Sequence, residues 1–192
     1  MSVKRCYLGC PMWANKRWIG QLYEPGSGSR DFLKQYSAVF NTVEGNTTFF
    51  GLPSAQTISR WKDQACKGFQ FCFKFPRTIS HEKKLVDAET EEVFKVLSPL
   101  GEHIGPFFLQ LSPSFGPGSM PVLDRYLASL PDKFDYVVEV RHPEFFIGAD
   151  KELNALLLRH KADRALYLAS GSDTLHPNHA LSRHPFARFM SQ

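Results

Sequence analysis

Short apolar runs alternate with helix-patterned segments along this chain, and the runs recur roughly every 30 residues, the length of a strand–helix unit. They lie at about Cys6–Gly9, Thr42–Glu44, Phe69–Lys74, Phe107–Leu111, Tyr136–Glu139 and Ala165–Leu168. Between them apolar residues return at helical spacing. Phe32, Leu33, Tyr36, Val39 and Phe40 follow an N-cap read at Ser29. Ile58 and Trp61 mark a helix over Ser54–Ala65, and Val93, Leu97 and Leu100 one over Thr90–Leu100. Leu123, Leu127 and Leu130 mark Pro121–Leu130, and Leu153, Leu156 and Leu157 mark Lys151–His160. Regular alternation of this kind predicts parallel strands with helices outside them. An open doubly wound sheet and a closed eight-fold barrel both fit. Gly9-Cys10-Pro11-Met12-Trp13 follows the first run. It is a poor phosphate cradle, because Pro removes an N–H and Trp blocks backbone approach. The dinucleotide-binding form is therefore disfavoured.

Polar groups at the downstream ends of the runs favour the barrel. Glu44 closes the second run, Lys74 the third, Gln110 lies near the end of the fourth, and Glu139-Val140-Arg141-His142-Pro143 closes the fifth. In a barrel all strand ends converge on one mouth, where chemistry is normally found. Such barrels take about 250 residues and eight strands. The expectation is an α/β, TIM-barrel-like (β/α) repeat fold, an incomplete barrel with about six parallel strands. Residues 1–170 form that partial domain. After Leu168 the pattern collapses; 171–192 holds three histidines, two prolines and no amphipathic segment. This stretch is expected to be an unstructured or aberrant tail, from truncation or an altered reading frame. The alternative is an open six-stranded sheet with a disordered tail.

Composition narrows the class. The chain has 192 residues, enough for one sizeable core. Its 23 basic residues give a net charge of +4 but are scattered, which reads as a solvated surface, not a dedicated basic groove. Aromatics make up 14%, including 17 Phe, which either fill a core or line a pocket. The four cysteines form no Cys-x-x-Cys pair, and reduced thiols in the cytoplasm are the simplest reading. No signal peptide is visible, and no apolar run approaches the ~20 residues of a membrane helix.

Four motifs are familiar together: Glu44-Gly45-Asn46-Thr47-Thr48-Phe49, Phe71-Cys72-Phe73-Lys74-Phe75-Pro76, Gln110-Leu111-Ser112-Pro113-Ser114-Phe115-Gly116-Pro117 and Val138-Glu139-Val140-Arg141-His142-Pro143-Glu144-Phe145-Phe146. They resemble the YecE-like family of domains of unknown function (DUF72), as does Tyr7-Leu8-Gly9-Cys10-Pro11-Met12-Trp13. The resemblance covers Tyr7 to Leu168. It implies a TIM-barrel-like fold and cytoplasmic bacterial proteins, with no established activity. It also implies longer members that continue through further units. The stretch 171–192 matches no pattern of the family.

Taken as one site, the strand-end groups point to a hydrolase or lyase. Glu44 and Glu139 would act as acid and base, or acid and nucleophile. The rival reading pairs Glu44 with Lys74 and Glu139 with Arg141, since Glu139 and Arg141 share one side of the strand. Lys74 is either a Schiff-base amine or an ion-paired anion binder. Trp13, Asn46, Thr47, Gln110, Arg141 and His142 would bind substrate. Trp13, Trp18, Phe49, Phe50, Phe75 and Phe145 would stack on sugars or bases, or roof the barrel. A His81, His142, Glu44, Glu139 metal cluster has no His-x-His or His-x-x-x-His pair behind it, so no metal and no cofactor are expected. The alternatives are a non-catalytic module binding a polar small molecule or nucleic acid (Arg77, Lys83, Lys84 and Arg141 keep the latter open) and a non-functional fragment. The sequence assigns neither substrate nor oligomeric state.

Overall fold

The computed structural model describes residues 6–169, 180–182 and 185–190. The chain is α/β. A five-stranded sheet has the order β1(Thr42–Gly45), β2(Gln70–Lys74), β3(Ile104–Gln110), β4(Tyr136–Glu139), β5(Asp163–Arg164). Two further strands, β6(Leu166–Ala169) and β7(Ala187–Met190), form a separate parallel pair. The chain divides into two compact units: Met1–Lys74 with Glu91–Gly105, and Phe75–Thr90 with Pro106–Gln192.

In the first unit β1 and β2 run parallel, with Val43 opposite Phe71 and Glu44 opposite Cys72. Helix α1(Phe32–Val39) buries Phe32, Leu33 and Tyr36. Its N-cap is Asp31 and not Ser29, and Asp31 Oδ2 accepts from the Gly28 N–H at 2.9 Å. The expected loop after β1 contains one helical turn, α2(Thr47–Phe50). Helix α3(Ala55–Gln64) starts where Ser54 accepts from the Thr57 N–H, and it buries Ile58 and Trp61. Helix α4(Glu91–Leu97) stops short of Leu100 and tightens into a 3-10 segment, Ser98–His103. That segment carries Pro at its start and Gly101 at φ 57. Both residues oppose a continued α-helix.

Much of the phenylalanine and tryptophan content of this unit is core. Trp61 stacks on Phe71 at 5.7 Å and Phe73 at 6.3 Å. Tyr23 stacks on Phe32 at 4.4 Å.

The first apolar run, Cys6–Gly9, is not a strand. It lies beside β1 through the Asn41 amide, which accepts from the Leu8 N–H at 2.7 Å and donates to the Cys6 carbonyl at 2.7 Å. The Glu44 N–H donates to the Cys10 carbonyl at 3.1 Å. A side chain does here what a ladder would do, so the apolar pattern is present without regular pairing. Gly9 is obligatory: a Cβ there would fall 2.0 Å from the Thr42 carbonyl oxygen.

In the second unit β3 and β4 run parallel, with Gln110 directly opposite Glu139. Both strands end in buried residues, as a sheet covered on both faces requires. Helices α5(Met120–Ala128), α6(Glu144–Ile147) and α7(Asp150–Arg159) follow in chain order. The expected sixth strand is two pieces. Val138 pairs with Arg164, and the Ala165 N–H still donates to the Val138 carbonyl at 2.9 Å. The Leu166 N–H then donates to the Phe186 carbonyl at 2.8 Å, so the chain leaves β4 at Ala165 and joins β7. The tail expected to lack structure, 171–192, lies mostly outside the described residues, but Ala187–Met190 within it is strand β7. That corrects the expectation at these positions.

Candidate functional site: the strand-end carboxylate and its arginines

β4 delivers Glu139 to its downstream end, where the residue is 2% exposed. Its Oε1 accepts from Gln110 Nε2 and from Arg141 Nε, each at 2.8 Å. Its Oε2 accepts from Arg188 Nη1 at 2.6 Å. Register explains the first contact, since Gln110 ends β3 directly opposite. Strand alternation explains the second, since Arg141 lies two residues on and shares the side of Glu139. The Glu139–Arg141 pair of the rival reading is present, but it is half of a larger arrangement. Arg188 supplies the other half from β7, with its guanidinium 5.1 Å from the Phe108 ring. The Arg188 side chain is 10% exposed and that of Arg141 42%, so the two ion pairs differ in desolvation.

Arg188 was not among the expected site residues. Ala187-Arg188-Phe189-Met190 holds one polar residue among three apolar ones, and four residues after an aperiodic stretch carry too little pattern to be read as a strand.

His142 follows on the same loop. Its Nδ1 accepts from the Glu144 N–H at 3.3 Å, and its ring meets Phe145 edge-on at 6.2 Å. A Cβ on Gly116 would come within 3.1 Å of the His142 ring, so the β3–α5 loop closes against this imidazole only because it carries glycine there.

The expected residues of the first unit sit at the ends of β1 and β2. Glu44 is half-buried, and its carbonyl accepts from the Asn46 N–H at 3.0 Å. Asn46 Nδ2 donates to the Pro11 carbonyl at 3.0 Å, tying the first loop to the end of β1. Thr47 is exposed at the start of α2. Lys74 is 8% exposed, with Nζ 4.0 Å from the centre of the Phe49 ring. The neighbouring Thr48 hydroxyl lies 2.6 Å from the Lys74 carbonyl and 2.9 Å from that of Gly45, which fixes α2 on the strand ends.

Trp13 is a core residue, edge-on to Trp61 at 5.2 Å and Phe71 at 6.0 Å. Phe75 and Phe145 are buried as well, whereas Phe50 is 84% exposed. Among the described residues no three His, Cys, Asp or Glu side chains are placed to hold a metal ion. His81 is turned to Ser80, with Nδ1 2.8 Å from its hydroxyl.

The family model "Protein of unknown function DUF72" matches residues 7–192, including the stretch after Leu168 in which no family pattern was expected. The UPF0759 protein YecE of Escherichia coli is 43% identical over 148 residues, 76% of this chain and 52% of that protein. The chain thus spans about half the length of the curated relatives it matches. A crystal structure of a DUF72 family protein from Thermotoga maritima is similar with a TM-score of 0.78 at 22% identity, covering 97% of this chain and 74% of that one. One from Enterococcus faecalis gives 0.71 at 16%, covering 96% and 70%. At these identities the structural likeness concerns the fold alone. On the family match and the identity to YecE, this chain belongs to the DUF72 family, which its strand-end motifs resemble.

Proposed function

We propose that this chain binds a polar small molecule at the downstream ends of β3 and β4, through Gln110, Arg141 and His142, with Glu139 holding Gln110 and Arg141 in position. One observation carries this reading: Glu139 is buried, both of its oxygens are occupied, and all three of its partners are donors. A general acid or nucleophile needs an oxygen turned to the substrate. A carboxylate engaged in this way is better suited to hold its neighbours in position. Binding is therefore better supported than acid–base work by Glu139.

The hydrolase or lyase reading is the second, and it shifts the chemistry to Glu44 and Lys74. Its support is the Lys74 amine, largely buried at a strand end beside Phe49. A desolvated amine is the usual starting point for Schiff-base chemistry. Lys74→Arg keeps the charge and cannot form an imine; trapping of a carbonyl probe such as pyruvate by borohydride in the wild type, lost in that variant, is the expected result if this reading holds.

The binding reading is tested by hydrogen exchange with glucose, xylitol, serine and citrate as probes. Protection at 110–112 and 139–143 by at least one of them is expected. Binding that protects other segments, or none, overturns it. Nucleic acid is the competing partner, and DNA binding that weakens steeply with salt would mark it. Among the described residues no helix is long and apolar enough to cross a membrane. The four free cysteines support a reducing, cytoplasmic setting.

A further inference from the structure

We propose that Arg141 is the recognition group of this site and that its ligand carries an oxyanion, a carboxylate or a phosphate monoester; the inference rests on the small-molecule reading above. The hydrogen bonds around Glu139 are asymmetric. Both carboxylate oxygens are engaged: Gln110 and Arg141 share Oε1, and Arg188 donates to Oε2. The Arg141 guanidinium is used only in part. It gives Glu139 its Nε alone, at 2.8 Å, and among the described residues its two Nη groups have no partner. A guanidinium present only to neutralise a buried carboxylate would offer it two parallel N–H bonds. Here Arg188 donates to the second oxygen and Gln110 shares the first, while Arg141 makes a single contact that leaves its terminal Nη pair available among the described residues.

That pair is a planar two-donor fork at fixed spacing, the shape that carboxylate and phosphate oxygens match bidentately. It belongs to a side chain 42% exposed, reachable from solvent. Its plane is set in advance: the Nε bond anchors it to Glu139, and Glu139 is held from its other side by a side chain only 10% exposed. Such fixing lowers the ordering cost of binding. Glu139 and Arg188 are then positioning residues, and they act on the ligand through Arg141.

Isothermal titration with inorganic phosphate, malonate and the neutral polyol xylitol tests this on the wild type, Arg141→Lys and Arg141→Gln. Phosphate or malonate should bind the wild type, and the difference between them identifies which oxyanion the site takes. Arg141→Lys replaces the fork by a point charge and should weaken that binding at least about tenfold, while the melting temperature without ligand stays unchanged, since the charge is kept on an exposed side chain. A glutamine at the same position should abolish it. Equal oxyanion affinity in all three proteins overturns the proposal. So does a wild type that binds neither oxyanion: if xylitol, glucose or serine then protects 110–112 and 139–143, the binding site stands and only its ligand class is wrong, and if none of them does, both fall.

Discussion

At the scale of single residues, Glu139 tests which of two accounts is right. A residue serving chemistry alone can be neutralised with little loss of stability. Glu139 lies between Arg141 and Arg188, and its pair with Arg188 is deeply buried. Breaking a buried pair from one side leaves the other charge uncompensated, at about 3–5 kcal/mol. Glu139→Gln should therefore lower the urea unfolding free energy by about 3 kcal/mol, and Arg141→Gln by less than about 1 kcal/mol, because the Arg141 side chain is exposed and Arg188 and Gln110 still partner the carboxylate. Equal, small losses would mean that Arg188 does not depend on Glu139. Gly9 is a second single-residue case. Its Cα faces the Thr42 carbonyl so closely that Ala cannot fit without moving backbone, and neither segment is a flexible side chain that could yield. Gly9→Ala should cost about 2 kcal/mol or more in the same measurement, and a neutral result would show that 6–10 is free to shift off β1.

At the scale of elements, α5 and the end of α7 are joined by charge. Asp124 on α5 accepts from His160 Nε2 at 2.6 Å, just beyond the end of α7, and from Arg159 Nη2 at 3.4 Å. The His160 hydrogen bond, with Arg159 and Arg125 nearby, holds the Asp124 carboxyl below its ordinary value of 3.8. A folded-state value below the unfolded one means the contribution is complete above the unfolded value and is lost as pH falls through the folded one. Asp124→Asn should lower the urea midpoint at neutral pH, and the gap to wild type should close in acid, as pH falls through the lowered carboxyl value. A gap that persists in acid would mean that the aspartate acts by shape. Elements of this kind were the legible part of the sequence. Tyr136–Glu139 has the expected limits because four consecutive buried residues in a strand leave no other reading. Glu139 with Arg141 was legible too, since two-residue spacing in a strand is local. Arg188 was not, because its contact with Glu139 joins segments 49 residues apart and depends on a four-residue strand whose pairing starts where the chain leaves β4. The Cys6–Gly9 run was misread for the opposite reason: its apolar pattern is that of a strand, but the Asn41 side chain takes the place of part of the ladder.

At the scale of the whole molecule, the buried phenols give the fold an alkaline limit. Tyr23, Tyr36, Tyr126 and Tyr136 are at most 7% exposed. Burial, with Cys10 adding, pushes the Tyr23 hydroxyl from 10.0 up to about 12. Burial likewise raises Tyr36, Tyr126 and Tyr136. An unfolded chain releases these protons near pH 10. The folded chain retains them, so above pH 10 the unfolded state binds fewer protons and stability falls as pH rises. Arg164 acts in the other direction. It is 1% exposed, donates to Asn154 Oδ1 and the Phe145 carbonyl at 2.9 Å each, and burial brings it from 12.5 down to about 10. A folded value below the unfolded one works against the tyrosines over the same range. One arginine opposes four tyrosines with shifts of comparable size, so the tyrosines prevail. Tyrosinate absorbance from the four should therefore rise in one cooperative step between pH 10 and 12, together with loss of the near-ultraviolet circular dichroism of the aromatic cores. Gradual ionisation under an unchanged dichroism spectrum would mean that water reaches these hydroxyls in the folded state, and that the aromatic cores are looser than their ring contacts imply.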